Sequence, residues 1–280
     1  MARSGSSPPT DGFRAGGATD KDDPTGGGRK PEARAKGYPA CVQERDADPE
    51  RCCFDDWVDR WATRSRKKRT VAGVTAPLLA ALREAGLKDR TVLDLGCGIG
   101  DLSIETVQAG ASSARGYDLS AKAVEAARRL AEERGVGDRA TFEVGDGAKA
   151  DLPNADVVVL NRVFCCYPDV ENLLERSLAA AGSVYAFTIP RSTGLAGWIS
   201  RAQTAIANRW YRLRSSKFAG FRVYIHDIGR IDARVRAEGF EPLRREHRRF
   251  AWDLAVYARS QPGARRNDQN RETGSKPSLA

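Results

Sequence analysis

The chain has 280 residues, 41% hydrophobic and 8% aromatic, and its 46 Lys and Arg outnumber 37 Asp and Glu to give a formal charge of +9. That composition supports one core of ordinary size, and no apolar run approaches the ~20 residues a bilayer-spanning helix needs. Six cysteines and two histidines, His226 and His247, do not make a zinc site, because Cys52-Cys53 and Cys165-Cys166 are adjacent pairs rather than pairs at metal-ligand spacing.

Residues 1–37 are rich in Gly, Pro, Ser and charge, with too few large apolar side chains to offset chain entropy, and are expected to be a disordered tail. They show charge but no apolar stretch leading to a cleavage site, so a cytoplasmic setting with reduced thiols is expected. Residues 38–72 read as a helical cap: Trp57 and Trp61 stand one helical turn apart, ahead of the basic run Arg64 to Arg69. From about residue 73 to 260 apolar strands alternate with amphipathic helices, which implies an α/β, doubly wound, mostly parallel sheet. A helix around 76–85 leads into the strand Val92-Leu93-Asp94-Leu95, which breaks at Gly96, Gly98 and Gly100. Glycines there let the backbone take left-handed dihedrals and approach a ligand at the carboxyl end of a strand. The spacing is not that of a dinucleotide fingerprint, since Asp101 occupies the place of its third glycine. Helices near 101–109, 120–134 and 170–181 serve as crossovers on both faces. Strands end at Asp118, at Asp146 and at Asn161, and a fifth covers 184–190. After an insert at 191–227, a helix near 228–238 and two strands, 240–249 and 252–258, close the domain; residues 261–280 have the polar character of a second tail.

Asp94 beside the glycine turn, with Asp118 and Asp146 ending the next two strands, resembles class I S-adenosylmethionine-dependent methyltransferases. The resemblance covers about 70–260 and implies a seven-stranded sheet ending in an antiparallel hairpin. It also implies that Asp94 suits the cationic amino-acid tail, that Asp118 accepts both ribose hydroxyls, that Asp146 meets the adenine amino group, and that Asn161 borders the methyl group. Cys97, Leu119 and Gly147, flanking these positions, complete the cofactor set it implies. The turn from Asn161 to Pro168 and the Arg/aromatic insert look most like the magnesium-protoporphyrin IX O-methyltransferase group, which implies a small anionic or aromatic acceptor such as a propionate carboxylate.

A carboxylate is ionised near neutral pH, so methyl transfer to it needs alignment more than a base. A phenol or alcohol would need one, and His226, Tyr167 and Tyr224 are the nearest candidates. The insert carries Leu195, Trp198, Ile199, Ala202, Ile206, Trp210 and Leu213 at helical spacing. That stripe either packs on the sheet, with the arginines solvated, or covers an acceptor whose anionic groups the arginines hold. Three other readings stay open: an RNA methyltransferase, a protein that binds the cofactor without turnover, and a nicotinamide dehydrogenase. RNA is disfavoured because the Asn161-Arg162-Val163-Phe164 turn departs from the Asn-Pro-Pro-Tyr type and no RNA-recognition module is visible.

Overall fold

The computed structural model describes residues 54–68, 71–213, 222–248 and 251–259. The expected tails, and residues 38–53 of the expected cap, lie outside these segments. Seven strands form one sheet in the order β3-β2-β1-β4-β5-β7-β6. In chain order the elements are α1 (Asp55–Lys68), α2 (Thr75–Glu84), β1 (Thr91–Leu95), α3 (Asp101–Gln108), β2 (Ser113–Asp118), α4 (Ala121–Glu133), β3 (Ala140–Val144), β4 (Ala155–Asn161), a 3-10 turn (Phe164–Cys166), α5 (Val170–Ala180), β5 (Ala181–Pro190), α6 (Gly194–Leu213), α7 (Ile228–Ala237), β6 (Phe240–Arg248) and β7 (Trp252–Arg259). β1 to β5 are parallel, and β7 runs antiparallel between β5 and β6. The expected elements are all present, with ends shifted by one to three residues.

The reason for this architecture lies in burial on both sheet faces. Leu93 and Leu95 point to one side and Val92 to the other, and both sides are dry. One face packs against α2, α3 and α4 through Leu78, Leu82, Ile104, Val124 and Leu130. The other packs against α5 and α7 through Leu173, Leu178, Ile231 and Val235. At the outer edge, Pro242 sits where the β6 register shifts, a place that tolerates the missing N–H. Ser120 caps α4 by accepting from the Ala123 amide at 3.0 Å, as its position ahead of that helix predicts.

Helix α1 lies beside the glycine turn. Val58 and Trp61 pack with Ile99 of the turn and with Ala123 and Ala126 of α4, Ser65 Oγ donates to Asp101, and Lys122 Nζ meets Asp59 at 2.8 Å. These contacts fasten residues 55–68 to the turn and to α4.

Candidate active site

The turn after β1 is fixed from below by its neighbours. The Gly96 and Cys97 amides both donate to the Tyr117 carbonyl, at 2.7 and 3.0 Å, and the Gly145 amide donates to the Asp118 carbonyl at 2.9 Å, so three adjacent strand ends are tied together. Gly96, Gly98 and Gly100 have φ of +69°, +56° and +76°, in the left-handed region. Their needs differ. A Cβ at Gly96 would stand 2.5 Å from Val163, and one at Gly100 would stand 2.6 Å from Phe142. A Cβ at Gly98 would meet nothing within 4 Å. Gly96 and Gly100 let the protein close on itself, whereas Gly98 faces open space where a ligand can approach the backbone.

Asp118 holds that open glycine. Its Oδ2 accepts from the Gly98 amide at 2.8 Å and its Oδ1 from the Ser120 amide at 2.9 Å. Burial raises its pKa, opposed by those two bonds. Each oxygen retains a lone pair, so a vicinal diol can still be accepted, but the carboxylate is also a brace for the turn.

Asp94 is buried beneath the turn and accepts from Ser103 Oγ at 2.7 Å. Burial pushes its pKa up to about 7; the Ser103 hydrogen bond opposes this and the charge of Asp118 adds to it. Two carboxylates gathered under one glycine turn, each with its pKa raised by burial, are a place where a cation is welcome.

Asp146 completes the row. Its Oδ1 accepts from the Tyr167 hydroxyl at 2.8 Å and from the Ala148 amide at 3.0 Å. Its Oδ2 is buried without a hydrogen bond, and the Lys149 ammonium stands 3.5 Å from it. A buried acceptor lacking a donor fits an amino group of a ligand.

The remaining expected cofactor residues take other parts. The Cys97 side chain turns toward Gly116, where a Cβ would come within 2.8 Å of its sulfur, and burial lifts its thiol well above the usual range. Only its backbone remains for a ligand. Leu119 is half-buried at the end of β2. Gly147 leaves room for Leu173, which a Cβ would approach to 3.2 Å. Both ends of the Asn161 amide are engaged, Oδ1 accepting from Thr188 at 2.8 Å and Nδ2 donating to Thr75 at 2.9 Å, so its side chain ties β4 to β5 and α2.

The three catalytic candidates are brought together. The Tyr224 amide donates to the Cys165 carbonyl at 2.7 Å, Tyr224 stacks on His226 with ring centroids 5.9 Å apart, and His226 Nε2 lies 2.9 Å from the Tyr167 carbonyl. Because a carbonyl only accepts, the ring nitrogen facing Tyr167 carries the proton. Burial lowers the His226 pKa and raises that of Tyr224. Tyr167 spends its hydroxyl on Asp146, so it is a support for the adjoining carboxylate and not a free base.

Sequence reasoning missed Arg162. It has φ of +63°, uncommon for a residue with a side chain, and its amide donates to Thr188 Oγ1 at 2.9 Å. Its exposed guanidinium lowers the pKa of Asp101 and Cys165, although burial dominates the first and the hydrogen bond from Cys166 the second.

The apolar stripe of the insert does not pack on the sheet: α6 packs through Gly197 and Ser200, while Leu195, Trp198, Ile206 and Leu213 face solvent. Small size decides this, since a Cβ at Gly197 would stand 2.4 Å from the Ser192 carbonyl carbon. Asn208 fastens the helix further along by a pair of hydrogen bonds to the Val223 backbone, at 2.8 and 2.9 Å.

The strand order and the glycine turn after β1 are of the class I S-adenosylmethionine-dependent methyltransferase type, and residues 92–181 match the family described as "Methyltransferase domain". Among individual proteins, the chain is 45% identical over 87 residues to the ribosomal protein L11 methyltransferase of Pasteurella multocida, covering 31% of this chain and 29% of that protein. It is 32% identical over 149 residues to the ribosomal protein L11 methyltransferase of Aeromonas hydrophila subsp. hydrophila, covering 51% of each. The chain thus spans about half or less of the length of these relatives. Its fold is similar to that of magnesium protoporphyrin IX methyltransferase from Synechocystis PCC 6803, solved with bound SAH, with a TM-score of 0.56 at 23% identity over 74% of this chain and 97% of the other.

Proposed function

We propose that this chain transfers the methyl group of S-adenosylmethionine to an oxygen of a small anionic acceptor. The observation that carries the cofactor assignment is the row of three strand ends: the open Gly98 held by Asp118, the buried Asp94 below it, and the Asp146 oxygen without a donor. In this reading Asp94 favours the ammonium of the amino-acid tail, Asp118 accepts the ribose diol and Asp146 accepts from the adenine amino group, with Gly96, Gly98, Gly100, Leu119 and Gly147 shaping the walls. Bound S-adenosylmethionine supplies a methyl group on a sulfonium centre.

Arg162 supports an anionic acceptor. Its guanidinium is exposed at the carboxyl end of β4, takes no ion-pair partner among the described residues, and can hold a carboxylate by two parallel hydrogen bonds. The same charge repels a protonated amine. An already ionised acceptor has to be placed and desolvated rather than deprotonated, so the site needs no dedicated general base. A protein acceptor is the second reading, supported by the names of the relatives in the two bacteria.

The test is transfer of labelled methyl from S-adenosylmethionine into a cell extract, separated into small-molecule, protein and RNA fractions. A base-labile label in the small-molecule fraction is expected. Label in protein favours the second reading, label in RNA overturns the acceptor class, and no label despite cofactor binding means the fold is kept without turnover.

A further inference from the structure

Helix α6 presents a surface that the methyl-transfer reading does not use. At 100° per residue, Leu195, Trp198, Ile199, Ile206 and Leu213 fall on one stripe, opposite Gly197 and Ser200, which face the protein. The stripe is open to water: Leu195 is 75% exposed, Trp198 68%, Ile206 70% and Leu213 74%. Over the 20 residues of α6 this makes an apolar ridge about 30 Å long. Scattered apolar residues on a surface need no explanation, whereas a continuous ridge marks a contact.

Charge identifies the occupant. From Arg191 to His226 the sequence has seven Arg and Lys and no Asp or Glu. Arg209 is exposed within the stripe, and Arg201, exposed on the flank nearer the protein, spends one N–H on the Ser192 carbonyl at 3.2 Å. Tryptophan and aliphatic residues on one side, with arginines alongside and no acidic residue to repel an anionic surface, describe a helix that lies in the headgroup layer of a bilayer. No helix among the described residues is long and apolar enough to cross one, so the contact is in-plane. A second copy of the chain is the weaker fit, because a two-fold contact through this face would set its cations against themselves with no carboxylate to answer them.

We infer that α6 docks the protein on an anionic membrane surface, inserting Leu195, Trp198, Ile206 and Leu213 while its arginines meet lipid phosphates and carboxylates. The full chain is mixed with vesicles of phosphatidylcholine alone or with phosphatidylserine, sedimented, and assayed in the same samples for S-adenosylhomocysteine affinity. Binding to the anionic vesicles is expected to exceed that to neutral ones by about tenfold or more and to weaken as salt is raised. The double variant Trp198→Ser, Ile206→Ser is expected to lose about tenfold of vesicle affinity while its S-adenosylhomocysteine affinity and circular dichroism stay those of the parent. Both substitutions replace solvent-facing side chains, so folding is not at stake. Bilayer-embedded bromolipid should quench the fluorescence of the parent more than that of Trp198→Phe. Failure to bind vesicles, equal binding by parent and double variant, or a concentration-dependent dimer that the double variant abolishes would each overturn the inference, and none bears on the cofactor site.

Discussion

Replacing Asp94 by Asn separates the cost of a buried charge from its use. The carboxyl has a pKa of about 7 in the fold against 3.8 for the free side chain, because it is buried. A raised folded value means the neutral form is favoured in the native state: its stabilising contribution is complete below about pH 4 and is lost as pH rises through about 7. At about 1.4 kcal/mol for each pH unit between the two values, ionised Asp94 places a load of about 4 kcal/mol on the unliganded protein above about pH 8. Asn cannot ionise and still accepts from Ser103, but it buries an NH2 without an assured acceptor, at about 1–3 kcal/mol. Asp94→Asn should therefore be more stable than the parent by about 1–3 kcal/mol near pH 8, and less stable by up to about 2 kcal/mol near pH 4.5. Urea unfolding of both proteins across that range gives the difference curve directly. Other carboxylates with raised pKa values, such as Asp101 and Glu105, are common to both proteins and largely cancel in the difference. Parallel stability profiles, or a parent that gains on the variant as pH rises through 7, would refute the reasoning. The same substitution should weaken binding of S-adenosylmethionine, whose ammonium is proposed to favour the ionised carboxylate, and remove proton release on binding as read by calorimetry in buffers of different ionisation enthalpy.

The glycines make a contrasting set. Gly98→Ala should cost only about 1 kcal/mol of stability, the strain of a left-handed alanine, yet abolish cofactor binding. Gly100→Ala adds a clash with Phe142 and should cost about 2–4 kcal/mol in chemical denaturation. Tyr167→Phe removes the donor to Asp146 Oδ1 and should lower stability by about 1 kcal/mol and weaken S-adenosylhomocysteine by about threefold to tenfold, as measured by calorimetry. Arg162→Ala should raise KM for an anionic acceptor while leaving cofactor affinity within about twofold, because a guanidinium fork binds the acceptor alone; a matched loss of cofactor affinity would place Arg162 elsewhere in the scheme.

The alternation of strands and helices, the glycine spacing and the acidic strand ends were legible because each is written within a few neighbouring residues. The supports were not. Ser103 reaches Asp94 nine residues back, Thr188 reaches Asn161 across 27 residues, and Thr75 reaches it across 86; these contacts exist only once the strands are laid side by side. Asn161 reads as a cofactor residue from its place after β4, and tertiary structure gives its side chain to the framework. The α6 stripe shows a different limit. Periodicity identifies an apolar face, but the small residues opposite it, Gly197 and Ser200, decide which side packs against the protein, and that choice turned the stripe outward. Arg162 carries no sequence signal beyond following Asn161; its left-handed backbone appears only in the structure.

Equilibrium titration of the purified full chain with S-adenosylhomocysteine, run side by side with Gly98→Ala, tests the central claim most directly. A one-site isotherm for the parent and none for a folded Gly98→Ala protein is the predicted result. A folded parent that binds no S-adenosylhomocysteine, or a variant that binds it as tightly as the parent, would contradict the placement of the cofactor on the turn after β1.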